Sequence, residues 1–318
     1  MRTRISRRHA LLAATAAVAF PTVRAQAGRN IELVVPFVAG QAPDAVARGL
    51  AEGMSKLLNQ TVVVVNKPGA GGAIGYKHVR GQRPDGSSLV LSSNSISTGF
   101  HGGMMDFDYT GFDNIARVTL EYPVLAVRAD VPLKDLKEVV AYCRQNPGKL
   151  RIGSTSIGSH MHLTSLAFFG DQQVEVTHVP FATSGHVNSL LGGHIDGVVT
   201  LPGSISAQVK AGQIRVLGAL ASSREPVFGD VPTATEQGIK FQSDLWRGIA
   251  APKGTPRDVL ARLEDSIRRT VTSPEFKQLG DRVGFQPAFM DSASFTKMVA
   301  QEDQVIAALM KKNNIQVK

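Results

Sequence analysis

The chain has 318 residues, with 35 Lys+Arg against 26 Asp+Glu for a formal charge of +9, 43% hydrophobic and only 6% aromatic residues. The basic residues are dispersed and no basic run interleaves with aromatics, which excludes a nucleic-acid interface, and no stretch after the N-terminus is long and apolar enough to cross a bilayer. Cys143 stands alone, which excludes an intrachain disulfide.

The N-terminus reads as an export signal. Arg2, Arg4, Arg7 and Arg8 precede an apolar run at 10–20 and then Pro21, with no acid among them. That is a charged region followed by a stretch too short to serve as an anchor. Ser6-Arg7-Arg8-His9-Ala10-Leu11-Leu12 carries the paired arginines of a twin-arginine signal, with Ala10 where phenylalanine is usual, and an ordinary secretory signal is the alternative. The signal is assigned to residues 1–25, with cleavage after Ala25 or Ala27. It contains five arginines and no acid, so the mature chain is left at +4. The expected location is the periplasm.

β-rich runs then alternate with amphipathic helical stretches. Strands are expected at 31–36, 61–66 and 89–92, with helices at 44–58 and 72–80 between them. An irregular glycine-rich region follows at 97–111. The alternation resumes with strands at 124–128, 151–153, 174–179, 195–200 and 215–219 and with helices around Leu136 and Leu166. The last third is more helical, at 256–271, 274–283 and 291–313. This is the pattern of an open, mostly parallel α/β sheet, and about 290 mature residues commonly form two domains. Cys143 falls on the apolar face of its helix with Leu133, Leu136 and Val140, which predicts a packing role.

The run Val62-Val63-Val64-Val65-Asn66-Lys67-Pro68-Gly69-Ala70-Gly71-Gly72-Ala73-Ile74-Gly75 predicts a strand, a glycine turn and a helix. Counted from Gly69, the sixth position of a dinucleotide fingerprint is Ile74, and Gly75 is followed by Tyr76 and Lys77 rather than the Lys-Ser/Thr of a P-loop. Neither nucleotide motif is present. Two readings are left: a ligand-free turn, or backbone amides at a helix start that attract an anion. Polar loops of the same kind follow the other strands at 37–44, 92–97, 154–160, 181–185 and 200–204. Ligands of open α/β sheets sit at the carboxyl ends of strands, so these loops predict a cleft between two lobes.

Catalytic motifs are weak. Gly153-Ser154-Thr155-Ser156 puts threonine where a nucleophile elbow needs serine, and Ser294-Phe295-Thr296-Lys297 has no partner motif and reads as a helix start at Asp291. His160 and His162 are two apart on a helix and have no acid or thiol beside them, so no metal site is expected. A hydrolase using Ser154, Ser156 or Ser159 with His160 is the enzymatic alternative. His160 is equally readable as a ligand donor at a helix start or as a surface cap.

Several segments together carry a family likeness: Ile31-Glu32-Leu33-Val34-Val35-Pro36-Phe37 with Asp44; Val65-Asn66-Lys67-Pro68-Gly69-Ala70-Gly71-Gly72; Pro84-Asp85-Gly86; His178-Val179-Pro180-Phe181; Leu190-Leu191-Gly192-Gly193-His194-Ile195-Asp196; Asp230-Val231-Pro232-Thr233; Trp246-Arg247-Gly248; and Ala251-Pro252-Lys253-Gly254-Thr255-Pro256. In this order the mature chain resembles the periplasmic solute-binding receptors of tripartite tricarboxylate transporters, often called the Bug family. The resemblance implies a two-lobed Venus-flytrap fold of the type II periplasmic-binding-protein class, each lobe a mixed, mostly parallel sheet flanked by helices. Lobe 1 is assigned to 28–123 and 222–318, and lobe 2 to 124–221. It also implies a monomeric, non-catalytic receptor without cofactor that passes a small organic carboxylate to membrane transporter subunits. A sensory role would use the same clamp.

The ligand contacts it implies in lobe 1 are Phe37, Gly40, Gln41 and Asp44 from the first loop, Gly71, Gly72 and Ala73 from the glycine turn, and Ser92, Ser93 and Asn94 from the third. Lobe 2 is expected to contribute Thr155, Ser156, Ser159, His160, Phe181, Ala182, Thr183, Asp196 and Thr200. The chain departs from the family pattern in Ala39-Gly40-Gln41-Ala42-Pro43-Asp44, where Gln41 is a new donor, in Phe181-Ala182-Thr183, and at Thr200 where a second acid is common.

Overall fold

The computed structural model describes residues 30–181 and 185–316. The signal and its cleavage sites, together with Ala182 and Thr183, lie outside the described residues.

The chain begins with β1 (Ile31–Val35), α1 (Ala42–Leu58), β2 (Val62–Asn66), α2 (Ala73–Arg80), β3 (Ser88–Ser93), α3 (Ser95–His101) and β4 (Phe112–Glu121). After Tyr122 and Pro123 come β5 (Val124–Arg128), α4 (Leu136–Gln145), β6 (Arg151–Thr155), α5 (His160–Asp171), β7 (Thr177–Phe181), α6 (His186–Leu191), β8 (Gly197–Thr200), α7 (Ser206–Lys210) and β9 (Ile214–Ala219). The chain then returns through 220–244 to β10 (Leu245–Pro252), α8 (Arg257–Val271), α9 (Pro274–Val283), β11 (Gln286–Met290) and α10 (Ser292–Lys312).

Two sheets result, ordered β11-β4-β10-β3-β1-β2 and β7-β6-β8-β5-β9. Each is mixed. The parallel pairings join β1 to β2 and β3, and β6 to β7 and β8, while β4, β5, β10 and β11 supply the antiparallel ones. Both faces of the first sheet are covered. Leu33, Val35, Leu89 and Leu91 pack under α1 and α8, whereas Val34, Val90 and Ala250 face α2 and α10, which is why these strands read as continuous apolar runs. In the second sheet Leu125, Ile152 and Val199 pack with Cys143 of α4, which is buried as its spacing predicts.

Pairing also fixes how the lobes meet. Val124, the first residue after the short crossover, pairs with Thr200 at the end of β8, and Arg247 at the start of β10 pairs with Ser93 at the end of β3. Both crossovers therefore leave from the edges where the parallel strands end. The loops after β1, β2 and β3 in the first sheet, and those after β6 and β8 in the second, lie at these edges.

The structure departs from the expected elements in several places. Residues 95–101, read in part as irregular, form α3, although Gly99 and the hydroxyl residues Ser95, Ser97 and Thr98 make a poor helix on propensity. β4, β10 and β11 were not expected: their runs contain Asp113, Asn114, Arg117, Gly248, Pro252 and Pro287, which break alternation. β7 forms at 177–181 rather than 174–179, leaving Val174 and Val176 to pack against the core of the second lobe.

Candidate functional site

In lobe 1 the order β3-β1-β2 makes the first three loops neighbours. Asp44 shapes the first of them. Its Oδ2 accepts from Gly40 N at 2.9 Å and Arg48 Nε at 3.0 Å, and its Oδ1 accepts from Asn66 Nδ2 at 3.1 Å. Burial alone would raise this carboxyl, but the bonds from Arg48, Gly40 and Asn66 outweigh it and hold the group below its ordinary range. Asn66 Nδ2 also donates to Phe37 O, so the end of β2 is tied to the first loop. The exposed Val38 and Ala39 donate no backbone hydrogen bond among the described residues.

In the glycine turn, Gly71 and Gly72 adopt φ of 62° and 104°, the left-handed region that favours glycine. Among residues 69–72 only Gly72 donates a backbone hydrogen bond, to Gly69 O. Residues 69–71 are exposed. Neither α1 nor α2 has a side-chain cap at its N-terminus, so these amides and the first-turn N–H groups form an anion-attracting pair of helix starts. Gln41 is exposed beside them and Ala73 is buried as the first residue of α2.

The third loop is internally bonded. Tyr76 OH contacts the hydroxyls of Ser92 at 3.4 Å and Ser95 at 2.9 Å and accepts from Ser93 N, while Ser93 Oγ pairs with Ser95 Oγ. Asn94 Oδ1 accepts from Trp246 N and its Nδ2 donates to Glu302. Asn94 is buried, and its amide is spent holding β3, β10 and α10 together. Glu302 also accepts from Trp246 Nε1.

In lobe 2 the order β7-β6-β8 gathers Thr155, Ser156, Ser159, His160, Phe181 and Thr200 at one edge. Thr155 Oγ1 and Ser159 Oγ are 2.8 Å apart, and Ser159 caps α5 by accepting from His162 N. Ser156 and Ile157 are exposed. His160 Nε2 lies 3.3 Å from both the carbonyl and the hydroxyl of Ser243 on the return crossover. Burial holds His160 down to about 4, with the Arg247 charge adding to it against the Ser243 carbonyl and Asp244. No hydrogen bond joins His160 to Ser154, Ser156 or Ser159 among the described residues, so the nucleophile–base contact of a hydrolase is not formed by that set. Asp196 is not brought to this edge. It precedes β8, where Oδ1 and Oδ2 accept from Arg151, so it sits at the opposite end of the strand from Thr200.

Several residues at these edges escaped sequence reasoning. His186 is buried with Nε2 at 3.0 Å from Thr200 Oγ1, Ser243 holds His160, and Arg247 pairs with Glu121 beneath Phe37. Strand pairing places Arg247, and side-chain contacts place His186 and Ser243, so none was visible from local sequence.

The model of the tripartite tricarboxylate transporter family receptor matches residues 46–315. The chain belongs to this receptor family. A Cupriavidus necator protein described as the UPF0065 protein in the gbd 5′ region is 31% identical, over 96% of this chain and 95% of its own. Among solved structures, a TctC solute-binding protein from Polaromonas has a TM-score of 0.79 at 31% identity, covering 92% of this chain and 99% of its own. MatC from Rhodopseudomonas palustris with bound malate has a TM-score of 0.71 at 27% identity (88% and 98% covered). R. palustris Rpa4515 with adipate has a TM-score of 0.76 at 25% identity (92% and 97% covered). The receptor's two mixed sheets and two-lobed arrangement are those of this structural group.

Proposed function

We propose that the receptor is exported to the periplasm, binds a small organic carboxylate between its lobes and delivers it, as a monomer, to membrane subunits of a tripartite tricarboxylate-type transporter. The observation that carries this reading is the set of backbone amides of the exposed residues 38–39 and 69–71, which have no acceptor among the described residues and lie just past adjacent strand ends beside two uncapped helix starts. Oriented amides favour a carboxylate without needing a paired cation. Structural neighbours with malate and adipate support the ligand class. The lobes proposed to close are 28–123 with 222–318 and 124–221, bringing Ser156, Ser159 and Thr200 towards the acid and excluding water. Binding needs neither cofactor nor metal, and there is no turnover.

The test is calorimetry on the mature protein with a panel of aliphatic and aromatic mono-, di- and tricarboxylates, together with mass spectrometry of any acid that co-purifies. Single-site binding of at least one acid, recovered unchanged, is expected. Sustained conversion lost on changing Ser156 or His160 would overturn the receptor reading, as would no binding across the panel. Export is tested separately: Arg7→Lys with Arg8→Lys should block periplasmic appearance if the twin-arginine signal operates.

A further inference from the structure

Arg247 is a buried cation that uses only part of its hydrogen-bonding capacity. It is 4% exposed, and its Nε donates to Glu121, itself 2% exposed. Among the described residues its two Nη groups donate no hydrogen bond, and they are absent from the sealed, unpartnered atoms, which are Thr119 Oγ1, His186 Nδ1 and Glu225 Oε2. Water therefore reaches the outer edge of the guanidinium. A guanidinium carries five donors in a fixed fork, so most of this fork is free.

Its position is specific. Arg247 pairs with Ser93 on one side and with Thr119 on the other, and directly opposed residues of antiparallel strands share a face. Ser93, Arg247 and Thr119 thus form a polar row at the strand ends, and Thr119 Oγ1 in that row has no partner. The Phe37 ring lies 5.8 Å from the guanidinium carbon. Phe37 follows Pro36, and a Cβ built on Gly72 would come within 3.3 Å of the Pro36 side chain. The order along the floor of lobe 1 is therefore amide turn, Pro36, Phe37, guanidinium: an anion site, an apolar platform and a cation. Across the cleft, Arg247 is close enough to His160 for its charge to bear on that imidazole.

We infer that Arg247 is the specificity residue for a second anionic group, so that the receptor selects acids bearing two negative ends joined by an apolar spacer that lies against Phe37. One carboxylate occupies the backbone amides and the other takes the free Nη edge. The inference rests on the carboxylate reading above and adds to it a side-chain contact and a ligand class.

The experiment compares acids of equal length with one or two carboxylates: succinate with butyrate, glutarate with valerate, and adipate with hexanoate, each by calorimetry. The native chain is expected to prefer the diacid by roughly tenfold to hundredfold in at least one pair, the worth of a charge-assisted hydrogen bond. Arg247→Gln should collapse that ratio. Because it leaves Glu121 buried without its partner, Arg247→Gln with Glu121→Gln is measured beside it, and Arg247→Lys, a single-point donor, should retain only part of the preference. Gly72→Val should weaken both members of a pair and leave the ratio in place. Equal binding of mono- and diacids by the native chain, or a ratio that survives in the folded double variant, overturns the role of Arg247 while leaving the receptor reading intact. Failure to bind any acid of the wider panel overturns both.

Discussion

At the scale of single residues, Gly72 and Asp44 shape the anion site in different ways. A Cβ on Gly72 would meet the Tyr76 ring at 3.2 Å and the Pro36 side chain at 3.3 Å, at a φ of 104°. Gly72→Val should therefore lower stability by about 1–3 kcal/mol and weaken carboxylate binding roughly tenfold to hundredfold. Lys67→Ala should alter affinity much less, because Lys67 contributes its backbone N–H to Val35 O and no side-chain bond among the described residues. Calorimetry on both, with melting curves, checks the contrast; normal binding by folded Gly72→Val with loss in Lys67→Ala would replace the amide site by a side-chain salt bridge. Asp44 works through its neighbours, fastening the first loop to Asn66. Asp44→Ala should cost about 1.5–3 kcal/mol in chemical denaturation. The native carboxyl is held below 3.8, so its contribution is present above that value and is lost as pH falls through the depressed one. The glycines were legible in the sequence because positive φ has a residue signature. The structural bonding of Asp44 and Asn94 was not, since their partners lie at residues 66, 246 and 302.

At the scale of elements, two buried carboxyls, one on the return crossover and one on α10, link the fold to pH. Glu225 on the return segment is 1% exposed; its Oε1 accepts from Val227 N, its Oε2 has no partner, and burial together with the Glu121 charge pushes it up to about 7. Glu302 of α10 is likewise raised by burial to about 7, against the bonds from Trp246 and Asn94. A carboxyl raised above its unfolded value holds its proton more tightly in the folded chain, so the contribution is complete below about 4.5 and is lost as pH rises through about 7. Between about pH 5 and pH 8 the two carboxyls therefore supply a downward slope of melting temperature with pH, set against an upward one from His160, His162, His178 and His186, which burial holds below the ordinary imidazole range. Glu225→Gln should reduce the downward slope, and an unchanged slope in the folded variant would remove Glu225 from the explanation. The strands that carry the site loops, β1, β2, β3, β6 and β8, were legible as short apolar runs bounded by turn residues. β4, β10 and β11 were hidden because their polar residues are satisfied by distant partners: Arg117 Nε donates to Ala288 O, and Asp113 accepts from Gly254 N and Thr255 N. Those strands position Arg247, so the part of the site they build was hidden as well.

Across the whole molecule, α10 follows β11 of the first sheet yet packs against α5 of the second lobe through Leu163, Ile306, Met310 and Ile315. Thr164 Oγ1 and Ser243 Oγ, 2.7 Å apart, tie the same helix to the return crossover. The lobes are thus joined by two chain crossings and an apolar contact, and α5, which begins at His160, is held by both the return crossing and the apolar contact. If binding closes the cleft as proposed, a pivot at this contact draws together the segments that carry the exposed Val38, Ile74 and Ile157. Saturation with a bound acid should therefore reduce the radius of gyration measured by small-angle scattering. The one tryptophan, Trp246, lies beside Arg247, and its emission should change over the same titration. Met310→Ala removes buried volume from the pivot and should cost about 2–5 kcal/mol as a core truncation. If the contact also restrains the lobes, the ligand-free variant should have a larger radius of gyration than the native chain, and saturation should restore the compact value. A variant that is destabilised but keeps the native radius in both states would make the cluster ordinary core, with the hinge set by the two crossings alone.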